Sequence, residues 1–335
     1  MFRWRPLKFA KECWDFEVVA DSATETSLRL FLSADLAGST AFKQNGEPDE
    51  WQKFFRNFYQ QLPAFVIRHA EELGERSDLL KVWKLIGDEV VFSTQLTKWD
   101  QAARCLALFR SALFEFRKAT IEATNGRLDV KAAAWTAGFP VGNIRVEPMD
   151  GLGEDYVGPG MDIGFRLVKA ASPRRMLVSV ELAWLLSLAE RVRHFTFFLG
   201  EGLELKGVAK GQTYPCIWLD NFRDDPERGT ADQLVLDEES LRGKPPPECN
   251  QDNLHEFTVG WISHMGPPFV MPFIEGDSLI GIPPPNYKEL YDRVTLEGTQ
   301  GARDDEEPAA EAAPASEADI LAGLAQTEKV RRTPP

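Results

Sequence analysis

Two aspartates stand where a polyphosphate and its metal ion could be handled. Asp35 follows the apolar run Leu28 to Leu32 and precedes the small-residue turn Ala37, Gly38, Ser39 and Thr40. The run reads as a buried strand. A carboxylate at a strand end holds a cation, and the free backbone N–H groups of the turn and following helix face phosphate oxygens. Asp88 lies between two short apolar runs within Lys81 to Phe92, where Gly87-Asp88 predicts a tight hairpin with Asp88 at its tip. A hairpin beside the Asp35 strand brings two carboxylates together, and these repel unless a divalent cation lies between them. Taken singly, each aspartate also reads as an ordinary turn residue.

The elements that must position these residues follow in order. Pro48, the acids Asp49 and Glu50, and Gly74 delimit a long helix from about Pro48 to Glu72. Its stripe Phe54, Phe55, Phe58 and Tyr59 reads as core, and Pro63 lies inside it. After the hairpin, Lys98 to Thr124 predicts a second amphipathic helix stopped by Asn125-Gly126. Leu128 to Gly138 reads as a strand. The Gly-rich stretch from Asp155 then opens a helix with Asp162 and Arg166 on one face, at the spacing of an ion pair. Strand Met176–Val180, helix Glu181–Ala189 and strands near His194–Leu199, Leu203–Val208 and Thr213–Leu219 complete the unit. The alternation predicts an α+β, ferredoxin-like sheet flanked by helices.

Bulk properties narrow the function classes. A net charge of −14 over 335 residues argues against a general nucleic-acid binder or a basic membrane-surface protein. Four scattered cysteines point to a reducing compartment, and no apolar stretch approaches a membrane span. The expectation is a soluble cytoplasmic protein with no nucleic-acid or membrane partner. Four segments are expected: an N-terminal segment over 1–26 with Trp4, Phe9, Trp14 and Phe16, a catalytic domain over 27–219, an irregular extension over 220–303, and a largely disordered acidic tail over 304–335. Within the extension, Trp261, Phe269 and Phe273 are too apolar to be left in water.

Over roughly residues 27–219 this arrangement resembles the catalytic domain of the class III nucleotidyl cyclases. The resemblance rests on Ser-Ala-Asp35-Leu-Ala-Gly-Ser-Thr, Lys84-Leu-Ile-Gly-Asp88, Asp155-Tyr-Val-Gly158 with Arg166 following, and the closing pattern from Leu205 to Trp218. It implies that Asp35 and Asp88 bind two Mg²⁺ or Mn²⁺ ions per site, with the Leu36 carbonyl a further ligand. It implies that Ala37, Gly38, Ser39 and Thr40 cradle phosphate. Arg166 would stabilise charge on the α-phosphate, and Lys84 and Asp155 would read the base. Asp162 falls where the family usually has a ribose-orienting asparagine, and an acceptor-only carboxylate cannot copy an amide's donor. The family's sites are shared across a homodimer, so the residues matching Asp162 and Arg166 would serve the partner's site.

Read literally, the Lys84 and Asp155 pair implies ATP. The Gly-Ser-Thr-Ala-Phe-Lys43 continuation, Trp83-Lys84 and Gly-Asp-Glu89 resemble a narrower branch, the pyrimidine cyclases of bacterial anti-phage (Pycsar) systems. That resemblance implies UTP or CTP as substrate, a 3′,5′-cyclic monophosphate as product, and a separate effector protein that halts the infected cell. Trp83 or Trp135 would then be a wall filling the space of a purine's second ring, although either one taken alone reads first as ordinary core. The competing readings are an adenylate cyclase, a catalytically degenerate cyclase-fold nucleotide-binding protein, and a polymerase-like palm. The acidic charge counts against the palm.

Overall fold

The computed structural model describes residues 25–146, 153–189, 195–220, 248–249 and 251–304. The N-terminal aromatics, His194 and the acidic tail lie outside them. The chain opens with β1 (Ser27–Ala37), α1 (Ser39–Asn45) and α2 (Pro48–Glu72). The hairpin of β2 (Lys81–Ile86) and β3 (Glu89–Leu96) follows, then α3 (Gln101–Thr124) and β4 (Asp129–Phe139). The four strands lie side by side as β4-β1-β3-β2, with β1 antiparallel to both its neighbours. This is the expected α+β, ferredoxin-like core.

Later elements extend the same sheet. β5 (Ile144–Val146) and β6 (Asp155–Val157) pair with each other, and α4 (Pro159–Ala170) packs back over β4. β7 (Arg175–Val178) runs parallel to β4. α5 (Val180–Ser187), β8 (Phe197–Leu203), β9 (Tyr214–Asp220) and β10 (Glu248–Cys249) complete an eight-stranded sheet among the described residues. The strand expected over 203–208 does not form. The chain turns there instead, with Gly207 at φ 75° and Ala209 at φ 53°, conformations no strand adopts. α3 begins at Gln101, later than Lys98, because residues 97–100 turn first and the Thr97 N–H donates to the Gln101 side chain at 2.9 Å.

Alternation along β1 sorts the two faces of the sheet. Leu28, Leu30, Leu32, Ala34 and Leu36 are all buried. Their face meets α3, as the Phe92–Phe109 ring contact at 5.7 Å shows, and α2 packs on α3 through Phe58 and Phe116. Arg29, Phe31, Ser33 and Asp35 take the other face, where α4 lies over Trp135. Contact is so close that a Cβ on Gly164 of α4 would sit 2.1 Å from the Trp135 ring. Trp135 is fully buried, stacked on Phe31 at 5.5 Å, so it offers no surface to a ligand and takes the core role, not that of a pocket wall.

Beyond β10, α6 (Gln251–Met265) packs on α5, and Trp261 and Phe269 close around Tyr214. Residues through Tyr291 form one compact unit. The last helix, α7 (Tyr287–Asp304), supplies from Asp292 onward the described part of a second. At the start of α5, Glu181 lines an apolar cavity with Ile163, Met271 and Phe273, and burial pushes its carboxyl up to about 7.

Two outcomes follow from this packing. Gly164→Ala should lower stability by about 1–3 kcal/mol, measured by denaturant unfolding, because neither the Trp135 ring nor the α4 backbone can give way. Glu181 binds its proton more tightly in the folded chain than at its ordinary 4.5, so stability falls as the pH rises from there through about 7. Glu181→Gln should flatten that slope in thermal melts compared at about pH 5 and about pH 8.

Candidate active site

Strand register brings Asp35 and Asp88 into one neighbourhood. Asp35 pairs across β1–β3 with Glu89, so the hairpin tip that carries Asp88 lies beside the end of β1. The Leu36 N–H donates to the Asp88 carbonyl at 3.2 Å, and the Ser39 hydroxyl donates to the Asp88 carboxylate. The Tyr59 hydroxyl of α2 donates to the Gly87 carbonyl and pins the tip from the other side. The tight turn is possible because Gly87 takes φ 62°. The turn after Asp35 depends on Gly38 in the same way: at φ 86°, a Cβ there would meet the Arg127 carbonyl oxygen at 2.8 Å.

On the opposite side of β1, Asp35 pairs with Lys131 of β4, whose ammonium lies 3.0 Å from the Asp35 carboxylate. Glu89 accepts from the Ser33 hydroxyl at 2.6 Å. Lys131 thus serves two carboxylates, Asp35 and Glu89, while the Asp88 charge acts on both. Burial raises the Asp35 carboxyl above its ordinary value, Lys131 pulls it down, and the Asp88 charge raises it again. Burial likewise raises Glu89, reinforced by Asp35 and Asp88. The strain is electrostatic, and added positive charge relieves it.

A divalent ion fits this donor set. Asp35, Asp88 and the Leu36 carbonyl offer hard oxygens, as Mg²⁺ and Mn²⁺ prefer. Among the described residues no three Asp, Glu, His or Cys side chains converge to hold an ion alone. The set therefore suits an ion that arrives with polyphosphate oxygens completing its shell.

Further along the same face, the Lys84 ammonium donates to Asp155 at 2.6 Å, each side chain about 40% exposed. A bulge in β2 between Val82 and Lys84 turns the neighbouring Trp83 onto that face as well. There its indole meets Phe31, Tyr156 and Phe165 and donates to the Glu154 carbonyl at 2.8 Å. In α4, Arg166 folds back on its own helix, donating to the Asp162 carbonyl at 2.8 Å and lying 3.4 Å from its carboxylate. The residues singled out from sequence therefore fall into three clusters: Asp35, Leu36, Ser39 and Asp88; Lys84 and Asp155; Asp162 and Arg166. Ala37 ends β1, and Thr40 is exposed in the first turn of α1.

Sequence reasoning missed the roles of Lys131 and Tyr59, and it quoted Glu89 in a motif without placing it beside Asp35. Lys131 lies within the strand expected over Leu128 to Gly138, but only pairing register shows that this lysine faces Asp35. Tyr59 read as one more ring of the α2 core stripe, whereas its hydroxyl anchors the hairpin.

No family model and no curated protein matches the chain. Among solved structures, it is similar to the guanylyl cyclase Cya2 at 15% identity and TM-score 0.45, over 59% of this chain and 93% of that one. It is similar to the adenylyl cyclase CyaB from P. aeruginosa at 14% identity and TM-score 0.45, over 60% and 97%. It is also similar to the guanylate cyclase domain of RhGC from Catenaria anguillulae in complex with GTP, at 13% identity and TM-score 0.44, over 58% and 97%.

Lys131→Met tests the electrostatic description. Removing the cation leaves Asp35 facing two carboxylates and should cost about 2 kcal/mol of stability near neutral pH. The loss should shrink as the pH falls toward the ordinary aspartate value of 3.8, where protonation discharges the cluster. Urea unfolding across that range measures it.

Proposed function

We propose that this chain is a nucleotide cyclase that converts a pyrimidine nucleoside triphosphate, UTP or CTP, to its 3′,5′-cyclic monophosphate. The observation that carries the reading is the juxtaposition of Asp35 and Asp88 across the β1–β3 register, with Ser39 hydrogen-bonded to Asp88. Mg²⁺ or Mn²⁺ held by Asp35, Asp88 and the Leu36 carbonyl would neutralise the triphosphate and acidify the ribose hydroxyl. In the reaction the ribose 3′-oxygen bonds to the α-phosphorus and its proton passes to solvent. The bond to the bridging oxygen breaks, and pyrophosphate leaves with the electron pair.

The chain's own residues orient the substrate. Lys84 donates to a ring carbonyl of uracil and Asp155 accepts its N3–H; for cytosine, Asp155 accepts the amino group and Lys84 donates to N3. Either pyrimidine satisfies the pair, and so does adenine. The pyrimidine preference is supported by Trp83, whose ring lies 5.2 Å from the Lys84 ammonium and narrows that end of the site. UTP is the preferred substrate on this reading. Arg166, released from Asp162, serves the α-phosphate in the partner subunit's site of a homodimer. Ala37, Gly38, Ser39 and Thr40 line the phosphates. The product is a diffusible message for a separate effector in anti-phage defence.

The test is to incubate the purified chain with Mn²⁺ and each of ATP, GTP, CTP and UTP and to resolve products by mass. A cyclic pyrimidine monophosphate is expected, reduced on the order of 100-fold or more in Asp35→Ala and Asp88→Ala. Lys84→Ala should change the ranking of the four substrates. Product from ATP alone would remove the pyrimidine assignment, and no product from any would favour a nucleotide-binding protein without turnover.

A further inference from the structure

Arg29 is a charge without an obvious purpose. It sits in β1 on the same sheet face as Asp35, six residues earlier, so the strand rise separates the two by about 20 Å. Its guanidinium lies 5.0 Å over the Tyr156 ring, and its Nε donates to the Ser93 hydroxyl at 3.3 Å. Among the described residues it makes no ion pair, although it is only partly exposed in a chain of net charge −14. A partly buried arginine normally has a carboxylate partner, because desolvating the charge alone is costly.

The arginine opens onto a cavity of about 680 Å³, remote from the Asp35 cluster. Lys81, Lys98, Arg76 and Arg104 join Arg29 around it, against the carboxylates of Asp78 and Glu154. Asp78 is shared by Arg76 and Lys81 at 2.8 and 3.5 Å, so one negative charge serves two cations there. Arg104 is neutralised by Glu75 at 2.8 Å. The excess positive charge is therefore concentrated on Arg29 and the Arg76–Lys81 pair, with exposed Lys98 beside them and also near the Asp277 carboxylate. Partly exposed Trp83 supplies aromatic surface beside them, while Tyr156 is buried beneath the Arg29 guanidinium and holds it in place. Fixed donors, an aromatic edge and a volume in the range of small-molecule sites fit an aromatic phosphate ester.

We propose that this cavity is a second anion site, which binds a mononucleotide through its phosphate at Arg29 and Lys98 and its base against the exposed edge of Trp83. Trp83 apart, none of the residues proposed for metal, phosphate or base binding in the cyclase reading lines the cavity, and Arg29, Lys98 and Asp35 variants separate the two sites. The probe is uridine 5′-monophosphate, titrated calorimetrically into the full chain with EDTA present, so that metal-dependent binding is removed. One site per chain is expected. Arg29→Gln should weaken it about 10-fold or more, and Lys98→Gln, an exposed loop change, by several-fold. Asp35→Asn should leave it unchanged, and orthophosphate should bind more weakly than the nucleotide. Binding lost in Asp35→Asn but kept in Arg29→Gln and Lys98→Gln would overturn the proposal. So would orthophosphate binding as tightly as the nucleotide, or no binding at all. Thermal melts identify a misfolded Arg29→Gln, in which case Lys98→Gln decides.

Discussion

The pairing register of β1 is the constraint on which the rest depends. β1 lies between β3 and β4, and its period of two sends leucines to one face and Arg29, Phe31, Ser33 and Asp35 to the other. A slip of one residue would bury Asp35 among the leucines and expose Leu36 in its place. The slip is prevented from both sides. The Gly87-Asp88 turn allows Ile86 to face Glu89 and sets the β2–β3 register, while Trp135 beneath Gly164 locks β4 against Phe31. The same register delivers Glu89 and Lys131 to either side of Asp35.

That delivery creates an electrostatic imbalance at one end of the face opposite the leucines. The Asp88 charge adds to the burial that raises the proton affinity of Asp35 and Glu89, and Lys131 is the cation that offsets it. Such an arrangement costs stability in the free chain, and a bound cation recovers it. The supporting contacts are rigid: Ser39 and the Leu36 N–H hold Asp88, Tyr59 holds the hairpin, and Ser33 holds Glu89. The carboxylates therefore cannot easily swing apart to relieve the repulsion. This favours a ligand-binding explanation over a purely structural one.

Much of the scaffold was legible because its signals are local. Pro48 and Gly74 bracketed α2, Asn125-Gly126 stopped α3, and Gly87-Asp88 marked the hairpin, each through backbone preferences readable within a few residues. Asp35 and Asp88 could be singled out for the same reason. Lys131 could not, since its role arises only from pairing between strands some hundred residues apart, a long-range property that alternation alone does not encode. Trp135 proved to be the ordinary core residue that its place in a strand favoured, although the strand alone carries no mark of which helix covers it. The strand expected over 203–208 failed on backbone geometry, with Ala209 in a left-handed conformation that no local propensity signals.

The central claim is that Asp35 and Asp88 jointly hold a divalent cation together with a polyphosphate. Mn²⁺ binding in the presence of pyrophosphate tests it most directly, read as loss of the free-ion signal in electron paramagnetic resonance. The account predicts saturable binding by the native chain, weakened at least about 10-fold in Asp35→Asn and in Asp88→Asn, both remaining folded. Equal Mn²⁺ binding by the native chain and both variants would contradict it.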